Sequence, residues 1–334
     1  MAATGQKGLY VNMNTGAVQA YLPPFRNALI NGDMRINQRG TSTNLASLTA
    51  VATTTLGSWV VDRWNVYRSA FAAGASIGQG TGMVYADLPF SDAGITTHAR
   101  VGRTAANAAT SMIYCDYNME SQDSYRLVGK TVTLSFYYRT GTNFSDNFLT
   151  ASLHSGTATD AALRSGTFTS FATTAFAKSS SWIRATVTGT VPTSAAQVCL
   201  RLSYTPVGTA GNADHFDVTG VQLELGSVAT PYEVRPVSVE LQTCQRYFEV
   251  LYMRMYVYIT LNEFSITPYT FKVEKRTSNI TFSPSYLYVP NALYGAYLET
   301  FTTYGCALVI GTKTSGSGSV YLNAQGPFYI SAEL

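Results

Sequence analysis

The stretch that most constrains this chain is Phe216 to Phe248, FDVTGVQLELGSVATPYEVRPVSVELQTCQRYF, because its hydrophobic period changes within a few residues. Val218, Val221, Leu223 and Leu225 alternate as a half-buried strand does, with a break near Gly220, and the run stops at Gly226-Ser227. Pro231 and Pro236 hold the next residues extended, since a proline biases its predecessor away from the helical region. Beyond Pro236 the period becomes about 3.6 residues, placing Val237, Leu241, Cys244 and Phe248 on one helical face. Glu240 falls in the first turn and Arg246 in the last, where the helix dipole favours each charge. The pattern predicts a strand that closes one β-rich body and a helix that leads into another.

Upstream, period-two alternation dominates. Val132, Leu134, Phe136 and Tyr138 oppose Thr131, Thr133, Ser135, Tyr137 and Arg139, and no long helical period competes. Further strands are predicted at Ser58 to Tyr67, Gly82 to Leu88, His98 to Gly102, Ser111 to Asn118, Phe148 to His154, Trp182 to Thr190 and Gln197 to Tyr204. Short strands between Gly-, Ser- and Thr-rich loops read as an all-β sandwich. Downstream, Leu251, Met253, Met255, Val257 and Ile259 alternate with Tyr252, Arg254, Tyr256 and Tyr258, and later short strands suggest a small β domain. The expected organisation is an arm over residues 1–24, a jelly-roll β-sandwich over 25–236, a linking helix over 237–248 and a smaller C-terminal β domain over 249–334.

Composition narrows the function. Only 12% of the chain is charged while 13% is aromatic, including 23 tyrosines, so its surface is rich in tyrosine and hydroxyl side chains. That suits permanent interfaces, whose cores favour aromatics over charges. The residues expected to meet other subunits are Val237, Leu241, Cys244 and Phe248 on the helix, with Tyr252, Tyr256 and Tyr258 on the next strand. A net charge of +3 without a basic run gives no footprint for nucleic acid. No apolar run is long enough to span a membrane, and the N-terminus lacks the pattern of a secretory signal. Cys115, Cys199, Cys244 and Cys306 form no CxxC pair and read as buried, reduced thiols.

No motif commits the chain to catalysis, and no metal or cofactor is expected. His98, His154 and His215 lack metal-ligand spacing. Gly74-Ala-Ser76-Ile-Gly78 matches the nucleophile-elbow pattern but lies in a Gly- and Ala-rich stretch with no helix to open. Asp116, Glu120 and Asp123 read as loop solvation more than as a carboxylate pair. Asp33 with Asp217 or Glu224 could supply oxygens to calcium if their strands met; a salt bridge is the simpler alternative. Sugar binding needs exposed rings to stack on pyranose faces, for which the candidates are Trp59, Trp64, Tyr114, Tyr117 and Trp182. Trp59 and Trp64 differ by an odd number, so at least one belongs to the core.

The segments NALINGDMRINQRG (27–40), WVVDRWNVY (59–67), LVGKTVTLSFYYRT (127–140), SWIRATVTGTVP (181–192) and VTGVQLELGSVATPYEVRPVSVELQTCQRYFE (218–249) resemble, in this order, a module of tail fibre and other virion proteins of tailed bacteriophages. That module is similar in turn to jelly-roll carbohydrate-binding modules. The resemblance implies a non-enzymatic virion component, usually a homotrimer, assembled in the host cytoplasm. Residues 1–24 would anchor it to another virion protein, and host-surface glycan would be its ligand. A purely structural decoration or fibre protein and a capsule-degrading enzyme are the rival readings.

Overall fold

The computed structural model describes residues 9–11, 18–20, 25–54, 56–83, 87, 94–251, 254–259, 265–284, 287–288, 296–299, 302–310, 318–324 and 328–333. Strands β1 (Leu9–Val11) and β2 (Val18–Ala20) form a hairpin. A sandwich follows, built from β3 (Thr49–Ala50), β4 (Ser58–Val61), β5 (Trp64–Arg68), β6 (Ala75–Thr81), β7 (Thr97–Arg103), β8 (Ile113–Asn118), β9 (Thr131–Thr140), β10 (Phe148–Gly156), β11 (Phe168–Ala177), β12 (Ile183–Thr190), β13 (Gln197–Tyr204) and β14 (His215–Leu225). Its first sheet has the order β11-β10-β13-β8-β5-β4 and its second β12-β9-β14-β7-β6-β3, six strands each. The fold is all-β, a jelly-roll sandwich followed by a short linking helix and smaller C-terminal β elements.

The core is made by the residues that alternation selects. Val132, Leu134, Phe136 and Tyr138 of β9, with Val187 beside them on β12, face Leu200 and Leu202 across the sandwich, and each such side chain contributes about 1.5–3 kcal/mol on full burial. On β14 the alternation survives a bulge between Thr219 and Gln222. Gly220 sits there at φ 59°, where an added Cβ would meet Ile95 Cδ1 at 2.8 Å and Tyr137 Cδ2 at 3.0 Å. The bulge restores parity, so Val218, Val221 and Leu223 all point inward. Leu225 does not join them; it is exposed at the strand end, where Gly226 turns the chain at φ 108°.

The 27–40 segment is held across that bulge by its polar side chains. Asn27 Oδ1 accepts the amides of Leu29 and Leu223, both at 3.0 Å, and Asn27 Nδ2 donates to the Val221 carbonyl at 3.1 Å. Asn31 Nδ2 donates to the carbonyls of Ile36 and Asp62, both at 2.9 Å. Gly32 is required because a Cβ would lie 2.1 Å from the Val221 carbonyl oxygen. These contacts give NALINGDMRINQRG a structural role.

Several expectations need correction. Ser58 to Tyr67 is a hairpin, β4 and β5, with Val61 opposite Trp64. The glycine-rich run around Ser76 is strand β6, buried between β3 and β7, because small residues fit under neighbouring side chains. Gly82 and Met83 lie outside any strand, and most of the rest of the strand expected there lies outside the described residues. Strand β11, FTSFATTAFA, escaped the sequence reading because its threonines and alanines mask the alternation.

Helix α1 (Ser121–Ser124) is a single turn, and α2 (Val237–Gln245) is the linking helix. It ends three residues earlier than expected, and Phe248 opens strand β15 (Phe248–Leu251) instead. Cys244 and Phe248 are buried within the chain and cannot form an interface between subunits, whereas Val237 is exposed and Leu241 half-buried. Glu240 is also buried: it accepts the Asn31 amide and lies 3.5 Å from Arg235 Nη1. Strand β16 (Arg254–Ile259) carries Tyr256 and Tyr258, and Tyr252 lies outside the described residues.

The remaining strands are β17 (Ser265–Thr270), β18 (Thr281–Pro284), β19 (Leu287–Tyr288), β20 (Ala296–Glu299), β21 (Gly305–Ile310), β22 (Gly318–Ala324) and β23 (Phe328–Ser331). They form three-stranded sheets in the orders β15-β23-β18, β16-β22-β19 and β17-β21-β20. All four cysteines are free and buried.

Candidate functional site

Where β4 of the sandwich meets β15, β18 and β23, a groove of about 470 Å³ opens, lined by Arg39, Leu56, Trp59, Phe248, Thr281, Tyr329 and Ser331. This lies in the size range of small-ligand pockets. The Phe248 and Tyr329 rings stack at 5.8 Å, 21° from parallel. The Arg39 guanidinium lies 4.6 Å from the Trp59 ring centre and 3.7 Å from that of Phe248. Trp59 and Tyr329 remain half-exposed and Leu56 is exposed, so apolar ring surface faces the opening beside the hydroxyls of Thr281 and Ser331.

Buried charge fixes this wall. Arg39 donates to Asp62 Oδ1 at 3.1 Å and to Glu333 Oε1 at 2.9 Å. Arg63 also bonds Glu333, under the Tyr247 ring at 3.5 Å. Gln38 Nε2 reaches Asp62 Oδ2 at 2.6 Å and the Phe248 carbonyl at 2.9 Å, tying the sandwich to β15. Burial pushes the Asp62 carboxyl up to about 6, against the pull of Arg39 and Gln38, with Glu333 adding to the rise. Behind the groove, Lys275 and Glu249 form a fully buried pair at 2.6 Å.

The ring candidates are scattered. Trp64 and Tyr117 pack together in the core, centres 5.1 Å apart, and cannot stack on an external sugar. Trp64 Nε1 donates to the Asn31 carbonyl at 3.0 Å, and the Tyr117 hydroxyl accepts the Ile30 amide at 2.9 Å. Trp59 is the tryptophan of its pair that reaches the groove. Tyr114 lies on the outer face of the first sheet, 5.0 Å from Tyr67, with Arg201 4.0 Å over its ring. Trp182 lies on the outer face of the second sheet, against His98 at 5.5 Å and Arg139 at 4.8 Å. Sequence reading missed Arg39, Leu56, Thr281, Tyr329 and Ser331, which no local spacing connects.

Most of the acidic residues are structural, while Asp123 is exposed on the single turn α1. Asp116 is buried and paired with Arg201, and Glu120 is buried and takes both oxygens to Arg246 at 3.0 Å, so neither solvates a loop. Of the carboxylates considered for calcium, Asp33 pairs with Arg35 and Asp217 with Arg100 and Arg139, while Glu224 accepts from Gln222 Nε2 at 2.8 Å and from the Thr230 hydroxyl at 2.7 Å. Among the described residues no group of three His, Cys, Asp or Glu side chains gathers as a metal site.

No protein-family model matches the chain, and no curated protein matches it. Among solved structures it is similar to the enzymatically active domain of tailspike protein 4 of bacteriophage CBA120, at 12% identity and a TM-score of 0.36, over 65% of this chain and 23% of that one. It is similar to a CBM4 structure at 13% identity and a TM-score of 0.34, over 59% of this chain and 98% of that one. A CBM22-2 xylan-binding domain from Paenibacillus barcinonensis Xyn10C aligns at 12% identity and a TM-score of 0.32, over 54% of this chain and all of that domain (100%). The chain thus spans less than a quarter of the tailspike's length. The likeness is one of fold.

Proposed function

We propose that this chain is a non-enzymatic fibre or appendage protein of a phage virion that holds host-surface glycan in the groove between Trp59 and Tyr329. The observation that carries the glycan reading is the groove itself: ring surface, hydroxyls and a guanidinium held rigidly by buried carboxylates. Rings cover the apolar face of a pyranose, while Arg39, Thr281 and Ser331 offer hydrogen bonds to its hydroxyls. The virion reading rests on the resemblance of the five segments. In it, residues 1–24 bind another virion protein, three copies associate, and weak sites on a rigid trimer reach avidity beyond a single site.

The test is binding of the purified protein to host polysaccharide and to a glycan array, followed by Trp59→Ala and Tyr329→Ala. Loss of binding in both variants, with melting unchanged, is expected; full binding by both would remove the groove from the mechanism. The purely structural rival draws on one observation, that Arg39 already covers ring surface of Trp59 and Phe248. Release of reducing ends from the polysaccharide would reveal an enzyme.

A further inference from the structure

The outer face of the first sheet carries a second constellation, separate from the groove. Pairing sets Arg201 opposite Asp116, and Tyr114 opposite Tyr67, so these side chains share one patch across β13, β8 and β5. Asp116 is buried and its oxygens are taken. Oδ1 accepts from Arg201 Nε at 2.9 Å, and Oδ2 accepts from Arg201 Nη2 and the Tyr67 hydroxyl, both at 2.7 Å.

A second guanidinium enters from the loop between β10 and β11. Leu163 donates its amide to Asn118 Oδ1 at 2.8 Å, and Gln197 clamps both backbone groups of Ala161, also at 2.8 Å. Arg164, the next residue, is thereby held over β8, within electrostatic reach of Tyr67 and Asp116. Yet among the described residues its Nη1 is buried without a hydrogen-bond partner. Leaving a charged donor unpaired is costly, and the side chain as a whole is only half-buried, so its guanidinium suits an acceptor from outside the chain.

The charge balance agrees: Arg164 and Arg201 share Asp116, and Glu333, the other carboxylate within reach of Arg164, is already paired with Arg39 and Arg63, so positive charge is in excess. His154, also on this face, is held down to about 4 by burial and adds none near neutral pH. Tyr114 and Phe71 are half-buried and offer ring surface beside the two cations.

We propose that Arg164 and Arg201, beside Tyr114, form an anion subsite that takes the carboxylate of an acidic sugar. The half-buried Arg164 guanidinium donates to the carboxylate, Arg201 supplies field and an unused N–H, and Tyr114 covers the ring. Asp116 is a positioning residue that orients Arg201.

The test titrates the full chain with sodium glucuronate, N-acetylneuraminate, glucose and sodium acetate, following the Arg164 side-chain N–H by NMR. Saturable shifts with either acidic sugar, weakened by salt and absent with glucose, are expected. Arg164→Gln should weaken acidic-sugar binding about tenfold or more, read from Tyr114 ring shifts, with an unchanged melting temperature. No shift at millimolar acidic sugar, equal response to glucose, or wild-type affinity in Arg164→Gln would overturn the proposal. Acetate binding as tightly as glucuronate would overturn the assignment to a sugar.

Discussion

Asp217, on the outer face of the second sheet, and Asp62, at the seam beside the groove, are both shut from solvent, yet their surroundings drive them apart. Asp217 takes Arg100 through two bonds, at 2.7 and 2.8 Å, and Arg139 through a third at 2.8 Å. Burial alone would raise its carboxyl, but the Arg100 hydrogen bond and nearby positive groups outweigh burial and hold it below the ordinary range. Among the described residues Asp62 pairs with Arg39 alone, and Arg39 is shared with Glu333. The difference shows that burial does not decide how a carboxylate behaves; the number of cations for each carboxylate does. One face is braced by its ion pairs, and the seam is left sensitive to pH.

The largest effect should come from breaking the braced side. Asp217→Asn leaves Arg100 and Arg139 without their anion and should cost about 3–5 kcal/mol, read from urea midpoints at neutral pH. Asp62→Asn should cost clearly less, because it removes a charge that burial already disfavours; equal losses would erase the contrast.

Next comes pH. Asp62 and Asp33 both rise to about 6 on folding, chiefly by burial, so the folded chain binds their protons more tightly than the unfolded chain does. Their contribution is full below about 4 and is lost as pH climbs to about 6, at about 3 kcal/mol each. Asp217 acts oppositely, stabilising above the ordinary aspartate value and losing that contribution as pH falls through its lowered one. The stability of Asp62→Asn relative to wild type should therefore rise between pH 4 and 6.5, a window set by these values. A flat difference would mean that Asp62 is not perturbed.

A smaller loss, about 1–3 kcal/mol, is expected for Gly220→Ala, since the left-handed bulge would press a Cβ on Ile95 and Tyr137. Gly226→Ala shares the strained φ but has nothing within 4 Å of the added atom, so it should cost less. The smallest effect on folding, within about 0.5 kcal/mol, is expected for Val237→Asp, because that side chain is exposed. If α2 meets other subunits through this residue, light scattering will show loss of oligomer with the monomer still folded. An unchanged oligomer would take Val237 out of the interface.

Strands with full alternation were legible from the chain alone: β9 and β13 fall on the expected residues, and β14 begins one residue early. The linking helix was legible too, because proline and the change of period mark its start, but its end was not. Phe248 continues the 3.6 period by spacing, while packing against Tyr329, far along the chain, draws it into a strand. Strand β6 was hidden because Ala, Ser and Gly carry little periodic signal, although its surroundings bury it. The groove was legible only in Trp59.

The sequence by itself determined the all-β character, the strand that closes the sandwich and the helix that follows, because backbone period and proline geometry are local. Tertiary structure alone decided that Trp64 is core and Trp59 open, that both faces of β9 and β14 are covered, and that Trp59 shares a groove with Thr281, Tyr329 and Ser331. The physical reason is that alternation sorts side chains onto two faces, while only the layer packed over each face decides which of them meets water.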